Sequence, residues 1–505
     1  MSEDLRIPLG KGEDAVYLHA GLVNRHGMIA GATGTGKTIS LQLIAEGLSR
    51  IGVPSFVTDV KGDLSGISQA GVPHPKIDER LERVGFDAAD FAFGPSPTVF
   101  WDLLGERGHP IRATITDMGP ALLSRLLDLN ETQEGILAIA FRFADDEGML
   151  MLDLKDLQTT LRFLGENAKE FRDEYGNVSS ASVGAIQRRL LVLEDEGADR
   201  FFGEPELELK DLMRTTYDGR GFVNVLDASR LMQRPRLYAT FLLWLLSELF
   251  EELPEVGDTD RPKFVFFFDE AHLLFADAPK ALVEKIETVV KLIRSKGVGV
   301  FFVSQNPLDV PDSVLAQLGN RVQHALRAFT PREQKAVRVA AGTMRPNPAF
   351  DTEEVIGQLG VGEALVTVLL PDGTPSVVER TTMAPPRSRI GPATDDERAR
   401  VMQASPVAGD YDESVDRESA YELLDRRVER QVAEAELAEQ MAAAERTRLK
   451  AEKERAKAER AATRGRGGRG RQTIAEAAAK TFVRSISSRL ATRVVRGLLG
   501  GVMRR

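Results

Sequence analysis

Short apolar runs alternate with segments of helical periodicity near the start of the chain. Residues 26–30 are apolar and precede a glycine-rich turn, residues 37–48 place Leu41 and Ile44 at helical spacing, and residues 55–60 are apolar again. This order predicts a strand, a helix and a second strand. Such a βαβ unit implies a parallel sheet.

The same alternation resumes later in the chain. It predicts strands at 221–226, 264–268, 298–303, 321–327 and 364–370, and helices at 236–249 and 279–293. Strands that alternate with helices of this length are typical of a doubly wound α/β domain. We therefore expect one sheet domain built from two separate parts of the sequence.

Charged helical patterns dominate the stretch between these two parts. The predicted helices lie at 120–128, 132–145, 154–165 and 182–196. We interpret the stretch as a mostly helical insertion into the sheet domain.

The composition changes again after the second part. Residues 385–409 are rich in Pro, Ser and charge, which indicates a linker. A charged helix follows, with an incomplete apolar stripe at Leu423, Leu424, Val428, Val432 and Leu437. The stripe is compatible with a solvated helix and with a coiled-coil partner helix.

The end of the chain is basic. Residues 464–471 are of low Gly/Arg complexity, which predicts disorder, and residues 474–499 have the pattern of a basic amphipathic helix.

These observations predict an α/β fold with a doubly wound sheet core, a mostly helical insertion and a helical, partly disordered tail. The predicted boundaries are 1–87 and 219–384 for the core, 88–218 for the insertion, 385–413 for the linker, 414–463 for the charged helix, 464–473 for the Gly/Arg segment and 474–505 for the basic helix.

Composition narrows the class of protein. The 505 residues include no cysteine, which excludes disulfides and Cys-based zinc sites. The most apolar run, near residues 239–250, is shorter than the roughly 20 residues of a membrane span. The chain opens without an apolar signal segment, so we expect a cytoplasmic protein without a transmembrane segment.

The net charge of −10 hides a strong asymmetry. Residues 441–505 contain 18 basic and 5 acidic residues, a net charge of +13, so the rest of the chain carries −23. The basic tail is therefore a candidate for binding nucleic acid, a partner protein or an anionic membrane.

One segment matches the phosphate-binding pattern G-x-x-x-x-G-K-[ST] in full. It consists of Gly31, Ala32, Thr33, Gly34, Thr35, Gly36, Lys37 and Thr38. The segment follows a predicted strand and opens a predicted helix, so its backbone N–H groups and the helix dipole would hold the phosphates of ATP. Lys37 would contact the β- and γ-phosphates, and the Thr38 hydroxyl would bind Mg²⁺.

A pair of acids ends the apolar strand 264–268. Asp269 and Glu270 would lie where ligands bind in doubly wound sheets, at the carboxyl end of the strand. Asp269 is a candidate Mg²⁺ ligand, and Glu270 is placed to polarise the attacking water. The alternative is a pair of acids that caps the next helix.

Gln305 and Arg294 are the remaining candidate catalytic residues. Gln305 ends the strand 298–303 and would sense the γ-phosphate, or would instead cap the following turn. Arg294 would act on a neighbouring subunit's ATP as an arginine finger, with Arg327 and Arg321 as competitors, or would complement a helix C-terminus.

Two further acids follow the second strand. Asp59 or Asp63 would join the outer shell of the metal, or the acid would simply form a turn. His272 follows the acid pair, but no second histidine stands at ligand spacing, so we do not expect a metal site there.

With these residues identified, the chain resembles the HerA/FtsK branch of P-loop ATPases, and specifically bacterial HerA-like helicase-domain proteins. The resemblance rests on the segments 24–38, 58–64, 267–274, 302–306 and 385–391, and on the terminal Arg-Gly-Leu-Leu-Gly sequence at 496–500.

The resemblance implies a RecA-like core that forms a homo-hexameric ring, with ATP between subunits and double-stranded DNA in the pore. Archaeal members begin with a β-barrel, whereas residues 1–25 are all that precede the first predicted strand here. We therefore do not expect a nuclease to couple through such a barrel. The competing classes are an ATPase that moves a protein partner and an NTP-dependent switch at a membrane surface.

Overall fold

The computed structural model describes residues 5–86, 91–257, 259–275 and 280–464. The chain divides into two compact units, Met1–Ala420 and Tyr421–Arg505. The predicted basic helix 474–505 lies outside the described residues, as does the predicted Gly/Arg segment 464–473 apart from Arg464.

Twelve strands in the described part of the first unit form one sheet. They are β1 (Arg6–Lys11), β2 (Ala15–His19), β3 (Gly27–Ala30), β4 (Ser55–Asp59), β5 (Thr98–Asp102), β6 (His109–Pro110), β7 (Val223–Asp227), β8 (Phe264–Phe268), β9 (Val298–Ser304), β10 (Asn320–Gln323), β11 (Glu363–Thr367) and β12 (Glu379–Met383). Their order is β2-β1-β12-β11-β10-β3-β9-β8-β4-β7-β5-β6.

The sheet is parallel from β10 to β6 and antiparallel from β10 to β2. Its central strand β8 has the sequence Phe-Val-Phe-Phe-Phe, and all five residues are buried. Continuous apolar strands of this kind are expected where helices cover both faces of a parallel sheet. The predicted α/β fold with a large parallel sheet is therefore confirmed.

The helices account for most of the remaining residues. They are α1 (Lys37–Arg50), α2 (Pro75–Val84), α3 (Ile115–Leu126), α4 (Glu131–Asp146), α5 (Leu154–Glu166), α6 (Ala168–Tyr175), α7 (Ser180–Asp195), α8 (Ala198–Phe201), α9 (Leu209–Leu212), α10 (Pro235–Glu252), α11 (His272–Phe275), α12 (Lys280–Leu292), α13 (Asp312–Leu315), α14 (Pro331–Gly342), α15 (Thr352–Gln358), α16 (Asp395–Gln403) and α17 (Ala420–Arg464).

Helices α3 to α9 lie between β6 and β7, in the stretch where the charged helical patterns occur. Three of them begin with a reciprocal capping box, in which Thr114, Asn130 and Asp153 are the N-cap residues. Each box pairs exposed N–H groups at a helix start, which explains where these helices begin. Phe143 packs against the rings of Phe163 and Phe171 inside this helical layer.

The helical layer begins later than the sequence pattern indicated. Residues 98–102 and 109–110 fall within the stretch 88–218, but they form β5 and β6 and extend the main sheet beyond β7. β5 has the sequence Thr-Val-Phe-Trp-Asp and is fully buried. A buried strand of five residues carries no alternation by which it could be told from a helical turn.

The segment 385–413 is part of the first unit and is not a linker in the structure. Ser388 is buried and pairs with Ala70 as an isolated bridge. Within α16, Arg398 is buried with its guanidinium 4.4 Å from the ring centroid of Phe100 in β5. Proline, serine and charge indicate a loop here, but they do not show that its polar groups have buried partners.

The charged helix is α17, which accounts for the described part of the second unit. Its apolar side chains Val428, Val432 and Leu437 are exposed. No helix in the described part of the chain combines the length and the apolar character needed to cross a membrane.

Candidate functional site

The loop from Gly31 to Gly36 joins β3 to α1 at the carboxyl edge of the parallel strands. The N–H of Gly31 donates to the carbonyl of Ser304 at the end of β9 (3.2 Å), and the N–H of Ala32 donates to the carbonyl of Ala325 just after β10 (2.8 Å). Gly36 is the N-cap of α1. Both neighbouring strands therefore fix the loop at the start of a helix, where backbone N–H groups and the helix dipole favour an anion.

Lys37 is buried at this helix start and folds over the loop. Its Nζ donates to the carbonyls of Gly31 (2.7 Å) and Ala32 (3.2 Å). Burial and the charge of Lys61 lower the pKa of Lys37, whereas the carboxylates of Glu270 and Asp269 raise it. The amine is therefore within electrostatic reach of the acid pair.

His324 lies beside Gly31 of the loop. Its Nδ1 contacts the carbonyl of Glu363 (2.8 Å), its Nε2 contacts the hydroxyl of Ser40 (2.8 Å), and burial lowers its pKa to about 4. The neutral ring therefore donates from Nδ1 and accepts at Nε2. A Cβ on Gly31 would lie 2.5 Å from the Cβ of His324, so only glycine allows this close approach.

Asp269 and Glu270 follow β8 at the same edge of the sheet. The N–H of Asp269 donates to the Thr58 hydroxyl on the neighbouring strand β4 (2.9 Å). Glu270 has a backbone φ of +49°, in the left-handed region that non-glycine residues rarely adopt. Strained backbone of this kind costs roughly 1–3 kcal/mol and is concentrated at functional sites.

The Glu270 carboxylate contacts three side chains. Lys61 lies 2.5 Å from Oε1, His272 lies 3.3 Å from Oε2, and Nε2 of Gln305 lies 3.3 Å from both oxygens. Burial raises the pKa of Glu270, but the hydrogen bond and charge of Lys61, with smaller effects of Gln305 and His272, bring it below its ordinary value. The carboxylate is therefore ionised at neutral pH.

Asp269 lies in a different electrostatic environment. Burial, and then the adjacent Glu270, raise its pKa to about 7, although Lys61 opposes the shift. Two buried neighbouring carboxylates repel each other, and a bound cation would relieve that repulsion. Asp269 is therefore the acid of the pair that is short of positive charge.

Gln305 connects the phosphate loop to the acid pair. The Thr33 hydroxyl donates to its Oε1 (3.3 Å), while its Nε2 donates to Glu270. Its side chain does not cap the turn that follows, because the N-cap of the short helix 307–309 is Asn306. The amide thus spans the space between the loop and the carboxylate.

The three candidate arginines lie in different places. Arg294 belongs to the short helix Ile293–Lys296, before β9, where its charge contributes to the lowered pKa of the buried His26. Arg321 lies in β10 and donates to the carbonyl of Leu315 (2.8 Å). Arg327, by contrast, lines a cavity of about 670 Å³ together with Thr33 and Gln305.

Asp59 closes its own turn. Its carboxylate accepts hydrogen bonds from the N–H groups of Gly62 (2.8 Å) and Leu64 (3.0 Å). Burial, and then the charges of Asp63 and Asp227, raise its pKa to about 6. This geometry is that of a turn-forming acid, the second of the two roles that the sequence left open.

The donor set suits magnesium and a polyphosphate. Mg²⁺ is usually bound through one or two carboxylates together with substrate phosphates and water. Asp269 offers one carboxylate, and Thr38 lies in the first turn of α1. Within the described ranges, no group of three or more acidic or histidine side chains forms a site that would hold a metal on its own.

Several residues of this site were not predicted from the sequence. Lys61 contacts Glu270, Thr58 accepts from the N–H of Asp269, and His324 contacts Ser40 in α1. Arg332 lines the cavity beside Arg327. Only Lys61 carried a usable signal, because it follows the second parallel strand and so had to lie at the ligand edge of the sheet.

A family model described as "Helicase HerA-like C-terminal" matches residues 4–505. The "DNA double-strand break repair helicase HerA" of Sulfolobus acidocaldarius is 20% identical over 349 residues, which cover 68% of this chain and 62% of that protein. The "Probable helicase MJECL08" of Methanocaldococcus jannaschii is 29% identical over 154 residues, 28% of each chain. The chain thus spans less than two thirds of the length of these relatives.

Two solved structures are similar at low sequence identity. The plasmid coupling protein TrwB in complex with the non-hydrolysable GTP analogue GDPNP has a TM-score of 0.49 and 14% identity, covering 75% of this chain and 89% of that chain. VirB4 of Thermoanaerobacter pseudethanolicus has a TM-score of 0.48 and 15% identity, covering 75% and 97%.

Proposed function

Because the chain belongs to the HerA-like helicase C-terminal family, we propose that it hydrolyses ATP with Mg²⁺ and uses the energy to move along double-stranded DNA. The geometry of one site and the family membership support this activity. The observation that carries it is that Gln305 joins the phosphate loop to the acid pair at one edge of the sheet, through Thr33 on one side and Glu270 on the other.

Residues of the phosphate loop bind the substrate. The N–H groups at the start of α1 hold the phosphates of ATP, and Lys37 neutralises the β- and γ-phosphate oxygens. Thr38 and Asp269 would hold Mg²⁺ beside them. Held there, Mg²⁺ would supply positive charge that offsets the negative charge of the phosphate oxygens.

Glu270 and Gln305 act on the attacking water. The ionised Glu270 accepts a hydrogen bond from water, and later its proton, as the water oxygen bonds to the γ-phosphorus, the bond from that phosphorus to the β,γ-bridging oxygen breaks, and ADP leaves with the electron pair. Gln305 contacts both Glu270 and Thr33 of the phosphate loop, so its amide can orient the water and respond to loss of the γ-phosphate. The Thr33–Gln305–Glu270 contacts support a route from hydrolysis to movement.

The proposal includes assembly into a homo-hexameric ring with ATP between neighbouring copies. Arg294 precedes β9 and Gln305 follows it, and the seven residues of β9 between them span about 23 Å. A side chain cannot cover that distance, so Arg294 would serve only the site of a neighbouring copy, as an arginine finger. The basic segment 441–505 supports contact with a polyanion such as DNA.

The first test is ATP turnover by purified variants. Lys37→Ala and Glu270→Gln should each lower kcat by roughly 100-fold or more, because they remove a phosphate contact and the water-activating group. Lys280→Ala and Glu284→Gln are matched controls on exposed positions of α12. If both site variants still turn over ATP at the parental rate, ATP is not hydrolysed at this site.

The second test separates DNA from other partners. We expect double-stranded DNA to stimulate the ATPase and to support displacement of a triplex-forming strand. Deletion of residues 465–505 then distinguishes two origins: stimulation that survives places DNA contact in the remaining chain, and stimulation that is lost assigns it to the deleted residues. No stimulation in the full chain would favour a protein partner or a membrane surface over DNA.

A further inference from the structure

Helix α14 of the first unit has a basic solvent-facing side. It places Lys335 and Arg338 at exposed positions three residues apart, so the two side chains are neighbours on the helix surface. Residues 325–345 include five basic residues and one acidic residue, whereas residues 1–440 as a whole carry a net charge of −23. The acids of the adjacent α15 lie at its own N-terminal end. The positive charge is therefore concentrated on α14.

The one acid of this stretch, Glu333, is engaged at the helix start. Its carboxylate accepts hydrogen bonds from the N–H groups of Phe329 (2.9 Å) and Thr330 (2.8 Å). These bonds belong to a reciprocal capping box in which Thr330 is the N-cap of α14. Among the described residues, neither Lys335 nor Arg338 has a hydrogen-bond or ion-pair partner. Their charges are therefore available to a ligand.

An exposed aromatic ring lies at the start of this basic side. Phe329 is 83% exposed and belongs to the loop between Arg327 and Arg332. The backbone of the loop is fixed, because Glu333 binds the Phe329 N–H and Pro331 is the first residue of α14. A backbone that is already ordered reduces the entropy that a binding partner must overcome.

This arrangement does not suit a membrane surface. A helix that lies on a membrane turns its apolar face toward the lipid. Helix α14 instead packs its apolar residues Ala336, Val337 and Ala340 into a buried cluster shared with α15. The side that faces solvent offers positive charge, with one aromatic ring at its end.

A single nucleic-acid strand matches both features of this surface. Lysine and arginine side chains neutralise the backbone phosphates, and an aromatic ring stacks on a base. In a duplex the faces of each base are covered by the bases above and below it, so an aromatic side chain reaches the face of an unpaired base far more easily. An exposed phenylalanine beside a basic helix thus favours a strand with unpaired bases over a duplex.

We propose that α14 and the loop before it bind single-stranded nucleic acid, with Lys335 and Arg338 on backbone phosphates and Phe329 stacked on an unpaired base. The proposal goes beyond the proposed function, which concerns movement along duplex DNA, and it does not require ATP hydrolysis. The surface adjoins the proposed ATP site, because Arg327 and Arg332 line the cavity beside the phosphate loop. A strand bound to α14 would lie next to that site.

The test places a fluorescent ring at the position of Phe329. The full-length variant Phe329→Trp adds an exposed indole to a chain whose own residues Trp101 and Trp244 are buried. Oligothymidylate of about ten nucleotides, within the site sizes of single-strand-binding folds, should quench this indole by stacking. A duplex with the same number of phosphates should bind at least about tenfold more weakly by the same signal. The parent chain gives the background.

Neutral variants test the two charges. Lys335→Gln combined with Arg338→Gln, made in Phe329→Trp, should lower the slope of log affinity against log salt concentration by about 1.4, because each phosphate contact of a single strand contributes about 0.7. The matched control is Lys169→Gln combined with Arg172→Gln, an exposed pair at the same spacing on α6. This control should leave the slope unchanged.

The possible results separate the binding partners. Quenching by the single strand, with the smaller slope confined to the α14 variant, supports the proposal. No quenching, equal quenching by the duplex, or the same change of slope in the α6 control overturns it. So does an indole signal that responds only to vesicles of phosphatidylcholine and phosphatidylserine, or only to protein concentration, since these assign the surface to a membrane or to a second copy. The titrations contain no ATP, so failure of the proposed ATPase activity is observed separately.

Discussion

At the level of single residues, the Glu270 carboxylate has more ion-pair and hydrogen-bond partners than an unpaired general base would have. Lys61 lies 2.5 Å away, and Gln305 and His272 complete its surroundings. These contacts keep Glu270 ionised, yet they also lower its ability to accept a proton, because basicity falls with pKa. Lys61 therefore determines the balance between the two effects.

Replacement of Lys61 tests this balance. Removal of the charge in Lys61→Met should raise the pKa of Glu270, because the Lys61 hydrogen bond and charge lower it in the parent. Glu270 acts as a base only when deprotonated, so the acidic limb of the pH profile of kcat/KM should move to higher pH. Steady-state ATPase rates from pH 5 to 9 measure the shift.

Two control variants accompany this measurement. Lys61→Arg keeps the charge and should leave the limb near its parental position, and Lys280→Met controls for loss of a lysine far from the site. A limb that stays in place, or moves to lower pH, in Lys61→Met would show that Lys61 does not control the titration of Glu270.

At the level of elements, the segment after β12 is anchored on α1, the helix that begins at the phosphate loop. The buried Glu46 of α1 accepts hydrogen bonds from the N–H groups of Arg387 (2.8 Å) and Ser388 (2.9 Å) and from the Ser388 hydroxyl. Gln42, one turn earlier, donates to Ser388 and to the Arg389 carbonyl. These bonds anchor Pro385 and Pro386, which line a cavity of about 170 Å³ together with Gly36 and Ile39 at the start of α1.

The anchor makes a prediction about stability. Glu46→Ala leaves the buried N–H groups of Arg387 and Ser388 without an acceptor, at a cost of about 1–3 kcal/mol for each group. We expect a lower midpoint of thermal unfolding and faster hydrogen exchange at these two amides.

A conservative variant checks the cause. Glu46→Gln retains one acceptor oxygen and should be less destabilised than Glu46→Ala. Exchange rates at Arg387 and Ser388 that match those of the parent in both variants would show that Glu46 is not the anchor of this segment.

At the level of the whole molecule, the positions of two arginines distinguish action within one copy from action between copies. Arg327 lines the cavity beside Thr33 of its own chain. Arg294 lies before β9, at the opposite edge of the sheet from Gln305. An active site that uses Arg294 must therefore be completed by a second copy.

Mixing of inactive variants tests this arrangement. Lys37→Ala and Arg294→Ala should each be inactive alone. In randomly mixed assemblies, roughly a quarter of the interfaces pair an intact phosphate loop with an intact Arg294 of the neighbouring copy, and these interfaces should regain activity. Lys37→Ala mixed with Arg327→Ala is the matched control and should show no such gain. ATPase rates of co-assembled variants measure both; a mixture with Arg294→Ala that stays inactive would contradict a role in trans.

Local sequence determined the parts of this protein that depend on neighbours along the chain. The strand-loop-helix around Lys37, the strand before Asp269 and the alternation of strands and helices follow from periodicity and from residues within a few positions of each other. The α/β fold and the carboxyl-edge position of Asp269, Glu270 and Gln305 could be predicted because parallel strands end at a common edge. The residues that would bind the phosphates lie in one continuous segment of the sequence.

Tertiary structure alone decided what depends on residues far apart in the sequence. Four features join segments that no local pattern connects. They are the antiparallel edge from β11 to β2, the entry of β5 into the sheet, the ion pair of Lys61 with Glu270, and the cavity between Ile77 and Pro385. A short buried strand has no distinctive period, and a charged side chain shows its partner only after the chain has folded. Local preference specifies the elements, whereas packing specifies which of their side chains meet.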